Sequence, residues 1–204
     1  MVAEQGFQST DPTVDQQVTT LSQSGADTFF NVATPKFAAQ AIKKIGELGW
    51  KPLHLLNSVS NSTASVMQVA GVEASQGIVS ISYLKDPGDP QWANDQGMKD
   101  YRTRIGKYAP EVNYLNSFGV FGFGVGESLV KVLEKTEKPT RESFMEALRS
   151  MKAVPNTLLL PGTTMNTSAT DGYPVEAAQL QKFTGDRWVL DGKLLDFEGK
   201  TKPE

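Results

Sequence analysis

The 204 residues are enough for one large α/β domain or one and a half smaller ones, so a buried core is within reach by size alone. With 20 Lys and Arg scattered among 23 Asp and Glu, a net charge of −3 and no basic stripe interleaved with aromatics, the composition argues against nucleic acid as a partner. Cysteine is absent, which excludes a disulfide framework, a thiolate zinc site and a cysteine nucleophile, and no apolar run reaches the roughly 18 residues of a membrane-spanning helix.

Val2 to Phe7 is predicted as a short strand. Ser9, Thr10, Asp11 and Pro12 then spell a helix start, with Asp11 as N-cap and Pro12 at the first helical position. That helix is expected to run through Val14, Val18 and Leu21 and to end at Gly25, before an apolar strand over Ala26 to Val32. A turn at Ala33, Thr34 and Pro35 opens a second helix, in which Phe37, Ala41, Ile42, Ile45 and Leu48 recur every three to four residues and Gly49 marks the stop. Leu53 to Leu56 is expected as a third strand and Gly77 to Leu84 as a fourth, with a loop and short helix across Asn57 to Gly71.

Strands alternating with helices of roughly 12 residues make βαβ units, hence a parallel sheet flanked by helices. In such sheets ligands lie just beyond the carboxyl ends of the strands, where loops and helix amino termini converge. That rule points to the loops Ala33 to Lys36 and Asn57 to Asn61.

From Asp86 the texture changes. Asp86 to Pro90 reads as a rigid polar turn, Trp92 to Tyr108 as a helix with Met98, Tyr101 and Ile105 inward, and Pro110 to Asn116 as a linker. Phe118 to Leu133 reads as a long apolar helix and Thr140 to Met151 as a shorter one capped by Thr140. Ala177 to Phe183 and Arg187 to Leu190 flank Thr184, Gly185 and Asp186 as a hairpin, and a polar tail closes the chain from Glu198 to Glu204.

Catalytic and metal motifs fare poorly. Gly119, Gly122, Gly124 and Gly126 give no GxGxxG and follow no strand, so they are expected to ease close helix packing. His54, the single histidine, sits between Leu53 and Leu55 in a predicted strand and is expected to be structural. Asp86 and Asp89, beside prolines and without a following acidic residue at EF-hand spacing, fit a turn better than a calcium loop. No GxSxG occurs, so neither enzyme activity, metal nor cofactor is expected.

The stretches DPTVDQQVTTLSQSGADTFFNVATPKFAAQAIKKIGELGWKP, LLNSVSNS, YLKDPGDPQW, FGFGVGESLVKVLEK, LLLPGTTMNTS and QLQKFTGDRW, in that order, resemble the leucine/isoleucine/valine-type periplasmic binding proteins of ABC importers. The resemblance implies a type I periplasmic-binding-protein lobe: residues 1–112 as the second, ligand-binding lobe, 113–165 as helices and crossover packing on a first lobe that is missing, and 166–204 as returning β segments and tail. It also implies a binding module that captures a small organic solute in an interlobe cleft and delivers it to ABC permease membrane subunits. A ligand-sensing domain of a receptor or amide-responsive regulator is the alternative. The resemblance implies a periplasmic location; Met1, Val2, Ala3 and Glu4 form no signal peptide, which is expected to have been removed or lost with the missing half.

By the same resemblance the ligand-binding residues are Thr34, Pro35, Asn57, Ser58, Val59 and Ser60. The residues alone equally allow Asn57 and its neighbours to cap the following helix and Thr34 with Pro35 to be an N-cap and first-turn pair. Amino-acid-binding members carry an acidic residue in the second loop and an aromatic in the first, where this chain has Ser58 and Thr34. The solute class is therefore an amino acid, an aromatic or aliphatic carboxylate, or an amide, with the last two favoured because a buried ammonium here would lack its carboxylate. Without a first lobe, Phe118, Phe121, Phe123, Leu129, Val132 and Leu133 are expected to be exposed, making the lone chain sticky or a homodimer through these helices.

Overall fold

A computed structural model describes residues 1–201 of the chain. The chain divides into two compact units, Met1–Ile81 with Leu180–Asp191, and Ser82–Gln179 with Gly192–Glu204.

In the first unit, α1 (Asp15–Ser22), β1 (Thr28–Asn31), α2 (Pro35–Leu48) and β2 (Leu53–Leu56) alternate as expected, and a single-turn α3 (Gln68–Ala70) follows. β1 and β2 pair in parallel with Phe29 opposite His54 and Asn31 opposite Leu56, and β2 continues in parallel to β3 (Val79–Ser82) through Leu55 and Val79. The strand order is β1-β2-β3-β4-β5, completed by the hairpin strands β4 (Ala177–Thr184) and β5 (Arg187–Asp196). Gly77 N–H donates to the Phe183 carbonyl and Phe183 N–H to the Ile78 carbonyl, both at 2.9 Å, which anchors the hairpin to this unit. Gly185 turns the hairpin at a φ of 66°, a conformation a glycine adopts without strain.

The α2 helix shows most directly how sequence becomes packing. Phe37, Ala38, Ala41, Ile42 and Ile45 fall on one face and are buried with Leu56, Val66, Met67, Ile78, Phe183 and Trp188. Each large side chain removed from water in this way contributes about 1.5–3 kcal/mol. Gly49, at a φ of 62°, donates to the Gly46 carbonyl and Trp50 N–H to the Ile45 carbonyl, closing the helix with a left-handed cap.

Two expectations in this unit fail. Val2 to Phe7 forms no strand: it lines one cavity with Phe29 and Asn31 of β1, the outermost strand, without entering its ladder. Asp11 does not cap α1. Its carboxylate accepts from Gln8 N–H at 2.8 Å and closes a local turn, so the helix begins at Asp15, whose N–H is taken by the Thr13 hydroxyl.

In the second unit, α4 (Gln96–Tyr108) starts later than the expected Trp92. Asp95 accepts from Met98 N–H and sets the first turn, while Pro90–Trp92 forms a separate 3₁₀ turn capped by Asp89. Asp86 accepts from Gly88 N–H, so both carboxylates of this segment hold the turn. α5 (Ser117–Lys135) and α6 (Arg141–Leu148) follow, the latter capped by Thr140 through Ser143 N–H.

The glycines of α5 differ among themselves. A Cβ on Gly119 would fall 2.5 Å from the Tyr101 hydroxyl oxygen, and one on Gly124 would touch the Asn156 amide, so these two do ease packing. A Cβ on Gly122 or Gly126 would meet nothing within 4 Å, so no contact within this chain calls for glycine there. Phe118, Phe121, Leu129 and Leu133 are exposed as expected, but Val132 is buried against Ala147 and Met151, and Phe123 is half-buried against Tyr101. Of the expected tail, Lys202 to Glu204 lie outside the described residues.

Candidate functional site

The carboxyl ends of β1 and β2 lead into neighbouring loops, and hydrogen bonds tie these loops together. Asn57 donates from Nδ2 to the Asn31 carbonyl at 3.1 Å and to the Ala33 carbonyl at 3.0 Å, while its Oδ1 accepts from Val59 N–H. Ser60, fully buried, donates its hydroxyl to the same Ala33 carbonyl at 2.6 Å. Both loops picked out by the strand-end rule therefore meet on one carbonyl oxygen.

These bonds separate the four polar members of the six sequence-predicted residues into two roles within the fold. Asn57 and Ser60 spend their polar groups on the tie. Thr34 is exposed and Ser58 half-exposed, and neither hydroxyl has a hydrogen-bond partner among the described residues. Pro35 occupies the first helical position of α2 and Val59 projects an apolar side chain outward at 54% exposure.

Thr34 is the N-cap residue of α2 but makes no side-chain cap, which leaves the first-turn N–H groups of the helix without a side-chain acceptor. Lys36, whose ammonium lies 4.8 Å from the Phe37 ring centre, carries the one formal charge in the stretches Asn31 to Phe37 and Asn57 to Ser65. No carboxylate occurs in either stretch. Electrostatically the loops suit a neutral or negative polar group.

Behind the loops lies a pair of residues that sequence reasoning did not assign to the site. Asn31 is 2% exposed and His54 6% exposed, and the Asn31 Nδ2 lies 3.3 Å from the His54 Nε2. Asn31 Oδ1 accepts from Ala33 N–H at 3.1 Å, so the amide must point its NH₂ at the ring and Nε2 must be the acceptor. His54 is thus neutral, with its proton on Nδ1. Burial pushes its pKa from 6.5 down to about 4. The signal for this pair is a polar residue at the inward position of each of two short apolar strands.

Elsewhere, Asp171, Glu176 and Glu198 bring carboxylate oxygens within 4.8 Å of one another in the second unit. The Thr201 hydroxyl and the Gly199 N–H hold Glu176 below the usual carboxylate range and Glu198 accepts from Asn166, while Glu176 Oε1 is buried without a hydrogen-bond partner among the described residues. The same unit has an apolar groove of about 330 Å³ lined by Phe121, Val125, Leu129, Phe144, Leu148 and Val175 among others. Among the described residues no helix is long and apolar enough to cross a membrane.

Residues 1–187 match the family described as periplasmic binding protein. The chain belongs to this family. Among solved structures it is similar to a branched-chain amino acid ABC transporter protein from Thermus thermophilus with bound valine, at 16% identity and a TM-score of 0.76, over 94% of this chain and 52% of that one. A leucine binding protein from Thermotoga maritima gives 13% identity and a TM-score of 0.70, over 94% and 51%. A substrate-binding periplasmic protein from Ralstonia solanacearum gives 22% identity and a TM-score of 0.69, over 87% and 49%. These likenesses show a shared fold, a sheet flanked by helices of the type I periplasmic-binding-protein kind, and the chain spans about half the length of the proteins it matches. No curated protein sequence matches it.

Proposed function

We propose that the chain is part of an extracytoplasmic solute-binding component of an ABC importer and acts without catalysis. In this reading Met1–Ile81 with Leu180–Asp191 is the gripping lobe, and α5 and α6 pack on the other lobe of a longer, periplasmic protein. The solute is held between the lobes, and closure over it presents the surface the permease subunits recognise.

The observation that supports the reading is the shared Ala33 carbonyl, which ties the loop that carries Thr34 to the loop that carries Ser58 at adjacent strand ends. Thr34, Ser58 and the open first turn of α2 contact the solute, Pro35 and Val59 shape the rim, and Asn57 and Ser60 hold the loops in place. With Lys36 nearby and no carboxylate in the loops, the group presented to this lobe is a carboxylate or an amide and not an ammonium. An unpaired ammonium buried here would cost several kcal/mol.

A thermal-shift screen of the complete two-lobed protein against aromatic acids, aliphatic acids, amides and branched-chain amino acids tests this. A true ligand at a hundredfold excess over Kd stabilises by about 2.7 kcal/mol. Carboxylates or amides should raise the midpoint. If leucine, isoleucine or valine alone did so, the solute assignment would be wrong.

A further inference from the structure

We propose that His54 is an acid-sensitive latch on the paired loops: a proton taken up at Nε2 breaks its bond to Asn31 and frees Ala33, and with it the Thr34 loop. The reading of Thr34 and Ser58 as solute contacts gives the latch its functional consequence. The coupling itself stands on the geometry of the first unit.

Donors and acceptors link the ring to both loops along one chain of contacts. Asn31 Nδ2 donates to the ring at 3.3 Å and Asn31 Oδ1 accepts from Ala33 N–H at 3.1 Å, so one amide plane spans both. A protonated ring carries N–H at both nitrogens and would face the amide donor with a second donor. The amide can answer only by turning its oxygen to the ring, which takes the acceptor away from Ala33 N–H and points an NH₂ group at it. Ala33 is the residue whose carbonyl receives Asn57 and Ser60, so the disturbance reaches the junction of both loops.

The surroundings make the ring a one-way sensor. Phe29 lies against it at 4.9 Å between ring centres, and Trp50 backs Phe29 at 5.6 Å. Charged groups on the neighbouring elements are Glu4 and the Met1 amino terminus on the opening segment, which lines one cavity with Phe29, Asn31 and Trp50, Asp15 on α1, Asp27 and Lys51 ahead of the two strands, Lys36, Lys43, Lys44 and Glu47 on α2, and Lys182 on β4. None of them displaces the ring's protonation, for which burial is the sole cause. The latch therefore stays shut near neutrality and opens only in clearly acidic surroundings, where the loops would let go of a solute.

The test is a pH series by two-dimensional NMR on the isotope-labelled 204-residue chain without ligand, following the His54 ring and the backbone amides of Ala33, Thr34, Asn57 and Ser60. The expected result is that these amides shift with the same midpoint as the ring, well below an ordinary histidine, while far-UV circular dichroism is unchanged. His54→Gln, which keeps an acceptor toward Asn31 but cannot take up a proton in this range, should abolish the step. Loop amides that stay still while the ring titrates would overturn the proposal, as would a ring that titrates like a free histidine. So would a step that survives in His54→Gln, or unfolding of the whole chain with no earlier loop change. Since no ligand is present, failure here leaves the solute contacts of Thr34 and Ser58 standing, and loss of those contacts would leave the latch standing.

Discussion

The Nδ2 of Asn57 stands 3.0 Å from the carbonyl oxygen of Ala33, so the side chain that opens one loop holds the backbone of the other. Asn57→Ala removes this bond, its companion to Asn31 and the acceptor for Val59 N–H. We expect a loss of about 1–3 kcal/mol, seen as a lower urea midpoint at unchanged slope. Asn57→Asp should lose more, because a carboxylate would then face two carbonyl oxygens.

Thr34→Ala and Ser58→Ala delete hydroxyls without partners in the fold. Their stability should stay within about 0.5 kcal/mol of the parent. In the two-lobed protein each should weaken solute binding by about 0.5–1.5 kcal/mol, the net worth of a neutral hydrogen bond, in calorimetric titration. Unchanged affinity in both variants would remove these loops from the binding site.

Stability should fall as the medium is acidified, and the window is set by His54. Its pKa is about 4 when folded and about 6.5 when unfolded, so between those values the unfolded chain binds more protons. The stabilisation is complete above about pH 6.5 and is lost on the way down to about pH 4, amounting to about 3 kcal/mol. Asp95 and Glu127 add losses below the ordinary carboxylate range. Burial pushes each up, but hydrogen bonds, from Lys85 and Met98 N–H for Asp95 and from Lys131 and Thr157 for Glu127, hold both lower. Urea unfolding at several pH values checks this, and His54→Gln should flatten the upper window while leaving the lower one.

Two neighbouring glycines of α5 should respond oppositely to alanine. At Gly122 nothing lies within 4 Å of an added Cβ, so the helix gains about 0.5–1 kcal/mol. At Gly119 the methyl would meet the hydroxyl that Tyr101 donates to the Tyr114 carbonyl, and a loss of about 1–3 kcal/mol is expected. Thermal unfolding of the two variants side by side decides it.

The exposed face of α5 predicts self-association of this chain on its own. Phe121, Val125, Leu129 and Leu133 are each 46–52% exposed. Sedimentation should show dimers or larger species at moderate concentration, and replacing Phe121 and Leu129 together by Glu should return the chain to monomer.

Local chemistry made much of the architecture legible. Pro35 and Gly49 bracket α2, its apolar period runs between them, and β2 occupies the expected Leu53–Leu56. Where the reading slipped, a long-range partner or a competing local bond decided. Asp11 prefers the Gln8 N–H to a helix end, and Val2 to Phe7 has the pattern of a strand but stays out of the ladder beside β1. The two loops could be picked out because strand ends followed by Thr-Pro and Asn-Ser are local signals. The Asn31 and His54 pair could not, since it depends on a β1–β2 register that sets Phe29 opposite His54, and sequence spacing alone does not state a register.

The first unit borrows its last wall from far down the chain. Phe183 and Trp188, edge to face at 5.3 Å, close its core, and the Trp188 indole donates to the Asn61 carbonyl across 127 positions. During synthesis some hundred residues must therefore emerge after β3 before this half can be sealed. A chain arrested anywhere in that interval leaves Ile42, Met67 and Ile78 without their cover.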